Sequence, residues 1–206
     1  MMRSKLQYIS QGATAKEQEH NIQQALDNGA DWVQLRWKNA ADEQHQKLAE
    51  KVRVQCAHYR ATYIINDSIA LAKQVDADGV HLGLEDEGIE KARRILGAGK
   101  IIGGTANTIT DVLKRIDEGC DYIGLGPYRP TGTKEKLSPI LGVEGYRKII
   151  CYLKEHHLHF PPIYAIGGVN LADIPTLLAE GVYGIAVSKA ITDTPVIISD
   201  FKQLLS

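Results

Sequence analysis

At 206 residues the chain is long enough for one well-cored domain and short for two. A hydrophobic fraction of 44% and a charged fraction of 24% are ordinary for a soluble globular protein. The formal net charge of −1 supplies no basic field to draw nucleic acid, and no apolar run approaches the ~20 residues that cross a membrane.

In chain order, short apolar runs at 6–10, 32–36, 62–65, 79–82, 100–103, 122–125, 163–166 and 184–187 read as strands. Helical-period stretches at 14–28, 41–59, 68–75, 88–96, 108–118, 142–156, 171–180 and 195–205 lie between and after them. Asn28-Gly29, Glu118-Gly119 and Glu180-Gly181 put glycine just past a helix end, and Thr14 with Glu17 makes a capping-box pattern. The strands are apolar throughout rather than alternating, as parallel strands covered on both faces are. Eight strand–helix units predict an α/β fold, a (β/α)₈ barrel of one domain spanning residues 1–206. A doubly wound open sheet is the rival should the first strand be miscounted.

The N-terminus, Met1-Met2-Arg3-Ser4-Lys5-Leu6, lacks the apolar core of a signal peptide. Cys56, Cys120 and Cys151 are an odd number without metal-type spacing. They read as reduced, buried thiols of a cytoplasmic protein. No linker or low-complexity tract interrupts the pattern, and the sequence is compatible with a homo-oligomer without setting its state.

In such a barrel every loop that follows a strand opens on one face, so those loops are read together. They carry Gln34, Arg36 and Lys38; Asn66 and Asp67; His81, Glu85 and Asp86; Thr105 and Asn107; Thr131, Thr133 and Lys134; Gly167 and Gly168; Ser188 and Lys189. Alternation puts Gln34, Arg36 and Lys38 on one side of the second strand, where two cations and an amide suit an anion such as pyrophosphate, or else a solvated strand end. Asp67 and Asp86 follow neighbouring strands and are placed to share one Mg²⁺ with water and phosphate oxygens. Asp67 also reads as a helix cap. The run Gly126-Pro127-Tyr128-Arg129-Pro130-Thr131-Gly132-Thr133-Lys134 offers close backbone approach, hydroxyls and a cation to an anion. Gly167-Gly168 and Ser188-Lys189, after strands seven and eight, occupy the recurrent phosphate site of these barrels, with a plain tight turn as the alternative.

Two other readings are set aside. The Gly126 to Lys134 run has one residue more between its glycines than a P-loop allows, and Glu135 stands where the metal-binding hydroxyl belongs. His156, His157 and His159 lie at a helix end on the far face of the barrel, a solvated cluster rather than a metal site.

Together, Gln34-Leu35-Arg36-Trp37-Lys38, Ile65-Asn66-Asp67, the run from Ala77 to Asp86, Asp121 to Pro127, Pro130 to Lys134 and Ala165 to Gly168 resemble the thiamine phosphate synthase and TenI thiazole tautomerase family, from about Leu6 to Ile191. The resemblance implies an enzyme that joins hydroxymethylpyrimidine diphosphate to hydroxyethylthiazole phosphate and releases pyrophosphate. It further implies that Arg36, Lys38, Asn66 and Lys134 hold the pyrophosphate and that Asp67 and Asp86 hold Mg²⁺. Gln34 and Thr105 would then lie around the pyrimidine, with Thr131, Thr133, Gly168, Ser188 and Lys189 around the thiazole phosphate. Arg36, Lys38 and Lys134 would act in catalysis by neutralising the leaving group. Leu84, Asn107, Ser188-Lys189 and Ser10-Gln11 depart from the usual synthase pattern, which has glutamine, histidine, aliphatic-serine and threonine-aspartate there. The alternatives are a TenI-like tautomerase, whose expected proton-transfer histidine is replaced here by Asn107, and a non-catalytic thiazole-phosphate-binding regulatory homologue, in which those departures would mark decay of the active site.

Overall fold

The computed structural model describes residues 4–38, 40–130 and 139–206. Thr131, Thr133 and Lys134 therefore lie outside the described residues. Eight strands, β1 (Leu6–Ile9), β2 (Trp32–Leu35), β3 (Thr62–Asn66), β4 (Gly79–Leu82), β5 (Ile101–Ala106), β6 (Tyr122–Leu125), β7 (Ile163–Ile166) and β8 (Gly184–Val187), form a closed barrel in chain order. Every pair is parallel, and β8 returns to β1 through Tyr8↔Val187. This is the barrel the strand count predicts, and closure removes the open-sheet alternative.

The outer ring comprises α1 (Ala15–Asp27), α2 (Asp42–His58), α3 (Ile69–Gln74), α4 (Ile89–Leu96), α5 (Ile109–Asp117), α6 (Gly142–Glu155), α7 (Ile174–Glu180), α8 (Lys189–Asp193) and α9 (Ile198–Leu205). Gly29, Gly119 and Gly181 all take positive φ after their helices, as the sequence pattern requires. The short α8 is not visible in the helical periodicity. The stretches at 171–180 and 195–205 each begin with a 3₁₀ turn, Leu171–Asp173 and Pro195–Ile197, and Pro175 and Pro195 sit at helix starts where a missing N–H costs nothing. β5 runs three residues past its expected end, which places Thr105 within the strand rather than after it.

Two cores result from the alternation of side chains. The larger packs strands against helices. The smaller fills the barrel with Trp32, Ile64, Tyr122 and Tyr164. Trp32 meets Tyr122 and Tyr164 edge-on, with ring centroids 5.0 and 5.1 Å away. This aromatic layer is a floor, and the polar residues stand above it. Cys56 and Cys120 are buried and their thiols are pushed up to about 12 by burial, so both are inert. Cys151 is exposed on the outer face of α6, which corrects the expectation that all three thiols are buried. No described helix is long and apolar enough to cross a membrane. His156 stacks on Tyr152 at the C-terminal end of α6, on the face opposite the mouth. Among the described residues no group of three His, Cys, Asp or Glu converges as a metal site.

Candidate active site at the barrel mouth

The end of β2 is held from both sides. Arg36 N–H donates to Ser10 Oγ at 2.9 Å, and Gln18, buried on α1, donates to Arg36 O at 3.2 Å and to Gly12 O at 3.0 Å. Ser10 thus has a definite task where the family pattern has threonine. Burial draws the Arg36 guanidinium below its ordinary value, and the nearby Asp67 charge opposes that. Gln34 is 2% exposed; its Nε2 donates to Asn66 Oδ1 at 2.8 Å, while its Oε1 is buried with no hydrogen-bond partner. An orphaned buried acceptor is costly and marks a position where a ligand donor is wanted. Lys38 is exposed at the rim. Beside it a cavity of about 330 Å³ is lined by Trp37, Lys38, His45, Asn66 and Asp67 among others.

Asp67 sits at the end of β3 with φ +66°, a left-handed conformation that costs a non-glycine residue on the order of 1 kcal/mol. The cap of α3 is not Asp67 but Ser68, whose side chain accepts from Leu71 N at 3.1 Å. That settles the ambiguity in Asn66-Asp67-Ser68: the serine caps, and the aspartate is released to the mouth. There it meets Asp86, whose Oδ2 is fixed by Gly83 N–H at 2.6 Å. Burial, then the hydrogen-bonded Asp86 carboxylate, push Asp67 up to about 6, while Lys38 and Arg36 pull it down. Two acidic side chains forced together need either a shared proton or a cation. The donor set fits Mg²⁺, which takes one or two carboxylates and completes its shell with water and phosphate oxygens.

Next to this pair a polar chain crosses the barrel above the aromatic floor. Gln7 Nε2 donates to the Tyr122 hydroxyl at 3.1 Å, Tyr122 meets His81 Nδ1 at 3.0 Å, and His81 Nε2 meets Thr105 Oγ1 at 3.0 Å. His81 and Thr105 were visible in the sequence as strand-end residues; Gln7 and Tyr122 were hidden in apolar runs. Asn107 is buried and its side-chain amide donates to Gly126 O, bracing the start of the β6–α6 segment. The peptide bond that follows, Gly126-Pro127, is cis.

The other half of the mouth is built from backbone. Gly167 and Gly168 take φ +89° and +73° in succession after β7, which side-chain-bearing residues avoid. A Cβ at Gly168 would lie 2.8 Å from Arg129 Cβ. Arg129 grips Asp173 with both guanidinium nitrogens, Nη2 at 2.6 Å from Oδ1, and donates to Gly168 O at 3.0 Å. Its own N–H donates to Gly167 O at 2.9 Å. Asp173 is nearly buried, and its carboxyl is held below the usual range by the hydrogen bonds of Arg129 and Asn170 although burial opposes them. The pair was missed in the sequence; the arginine in a loop of phosphate-type residues was its one visible sign. Ser188 opens α8, and the Lys189 ammonium turns to Asp193 at 2.7 Å with the side chain 76% exposed. The Lys189 charge is therefore engaged along its own helix.

A family model described as thiamine monophosphate synthase matches residues 6–191. The chain belongs to this family. It is 53% identical over 204 residues to a thiamine-phosphate synthase of Flavobacterium johnsoniae, covering 99% of this chain and 93% of the relative. A thiamine-phosphate synthase of Flavobacterium psychrophilum is 54% identical over 193 residues, with 94% and 93% covered. Among solved structures, the thiamine phosphate pyrophosphorylase from Pyrococcus furiosus superimposes with a TM-score of 0.82 at 31% identity, covering 98% of this chain and 95% of that one.

Proposed function

We propose that the protein is a thiamine-phosphate synthase, which joins hydroxymethylpyrimidine diphosphate to hydroxyethylthiazole phosphate and releases pyrophosphate. The observation that carries this reading is the meeting of Asp67 and Asp86 beside Arg36 at the same mouth that presents the Gly167-Gly168 turn. One side is suited to a metal-bound diphosphate, the other to a phosphate monoester.

In this reading Asp67 and Asp86 hold Mg²⁺, which supplies Lewis-acid neutralisation of the diphosphate when bound. Arg36 and Lys38 stabilise the charge that develops on departing pyrophosphate, and Asn66 contributes an amide held by Gln34. Lys134 joins them from the segment outside the described residues. Gln34 offers its unsatisfied Oε1 to the aminopyrimidine, and Thr105, held against His81, would lie on the same ring. The pyrimidine methylene cation left behind is captured by the thiazole nitrogen. The backbone at Gly168 and Ser188 holds the thiazole phosphate, with Thr131 and Thr133 completing the grip, and the Lys189 contribution is limited to its main chain. Catalysis is positioning and electrostatics, with no nucleophilic side chain required. The Asn107 amide secures Gly126 O, so its departure from histidine leaves this scheme intact and argues against tautomerase chemistry at that position. The same reading places the protein in the cytoplasm, where its three free cysteines stay reduced.

The deciding experiment is pyrophosphate release by purified protein given each substrate singly and both together, with Mg²⁺ and with a chelator. Release that needs both substrates and metal is expected. Thiazole phosphate binding without any release would assign a binding role instead.

A further inference from the structure

Arg115 is among the largest fully buried side chains, at 2% exposure, yet it belongs to α5 on the outside of the barrel. A buried guanidinium is retained only when its donors are satisfied. Here Nε donates to Thr105 O at 3.0 Å, Nη2 to Gly83 O at 2.8 Å and Nη1 to Glu118 Oε2 at 2.7 Å. Its stem crosses the back of β5 through space that only glycine leaves, since a Cβ on Gly104 would lie 2.7 Å from Arg115 Cδ.

Both carbonyls it grips belong to residues that set the site. Gly83 holds the Asp86 carboxylate through its own N–H at 2.6 Å, and the backbone packs so closely that a Cβ there would lie 2.9 Å from Asp86 Oδ2. Thr105 carries the hydroxyl that meets His81 Nε2. One planar fork therefore spans the ends of β4 and β5. On the reading of the site given above, we propose that Arg115 is a positioning residue that fixes Asp86 in the geometry Mg²⁺ needs and Thr105 beside it, with Glu118 as its counter-charge. The guanidinium is suited to this because its donors have a fixed divergence, whereas a lysine ammonium reaches one carbonyl or the other from a flexible stem. Groups that orient metal ligands from behind commonly change metal affinity by about 10–100-fold when altered.

The test measures binding directly, by calorimetry of Mg²⁺ in the presence of pyrophosphate and, separately, of thiazole phosphate, on wild type, Arg115→Lys and Glu118→Gln. Arg115→Lys is expected to weaken Mg²⁺ by about tenfold. Thiazole phosphate, bound across the barrel, should change by less than about twofold. Glu118→Gln, at a side chain only 18% exposed, removes the counter-charge that steadies the guanidinium against Gly83 O and Thr105 O, and it should show the same selectivity with a smaller shift. Should Arg115→Lys fail to fold, Glu118→Gln carries the test. Unchanged Mg²⁺ binding in a folded variant, or equal weakening of both ligands, overturns the proposal and leaves Arg115 a structural strut. Wild type that fails to bind Mg²⁺ with pyrophosphate would sink the reading of the site itself, a result separate from any variant's.

Discussion

The two halves of the mouth are built by opposite means. From β2 to β4 the work falls to polar and charged residues, each steadied by a neighbour: the Arg36 main chain by Ser10 and Gln18, the Asp86 carboxylate by Gly83 N–H, the Asn66 amide by Gln34. From β7 to β8 it falls to backbone, shaped by two left-handed glycines and braced by the Arg129–Asp173 pair. The side-chain half carries its cost in the Asp67 carboxyl, raised by burial and then by its neighbour Asp86, a cost that the metal of the proposed function would relieve. A backbone site stores its cost in conformation and is ready before the ligand arrives. The first should be sensitive to metal and pH, the second to steric change.

The largest expected effect breaks the metal half alone. Asp67→Ala should lower turnover by on the order of 10³-fold, the loss of several kcal/mol of transition-state stabilisation, with thiazole phosphate binding intact. Unchanged turnover would refute the metal assignment. On the other side, Gly168→Ala forces a side chain onto φ +73° and against Arg129. It should raise KM for thiazole phosphate about tenfold while Mg²⁺ binding stays as in wild type. If both ligands weaken together, the halves are not independent.

A smaller effect appears as stability against pH. The folded Asp67 carboxyl lies at about 6, above its unfolded value of 3.8, so the folded state holds the proton more tightly. Stability is fully present below the unfolded value and falls as pH rises from about 4 to about 6. Asp67→Asn removes that penalty. After allowance for solvent screening of a partly exposed group, the metal-free variant should melt about 2–4 °C above wild type beyond pH 6. The difference should vanish below about pH 4, and thermal unfolding across that range checks it. Smallest of all, Lys189→Ala should change KM for thiazole phosphate by less than about twofold, because the ammonium is exposed and paired with Asp193. A tenfold rise would return the lysine to the phosphate.

The sequence shows most of the barrel because each strand is a local apolar run and each helix has a local period. It shows Asp67 and Asp86 because a carboxylate at a strand end is conspicuous. The braces are harder to see. Arg129 and Asp173 lie on separate loops and meet only once the barrel closes. Arg115 looks like the partner of Lys114 in a basic helix turn, yet it falls three residues after buried Val112, on the apolar stripe of α5. That phase was a readable sign of a buried cation. The pull of Lys189 toward Asp193 follows from α8, a helix too short for periodicity to reveal.

The chain has two tryptophans, and the barrel gives them different surroundings. Trp32 is sealed in the aromatic floor between Tyr122 and Tyr164. Trp37 stands at the rim of the cavity, its indole N–H on Ala13 O at 3.3 Å and its ring edge-on to His45. The protein therefore contains its own pair of optical probes. Emission from Trp32 should report the integrity of the fold, and emission from Trp37 should report ligand entering the mouth, a response that titration with each substrate checks. With Trp37→Phe as the blank, ligand occupancy and unfolding become separable signals from unlabelled protein.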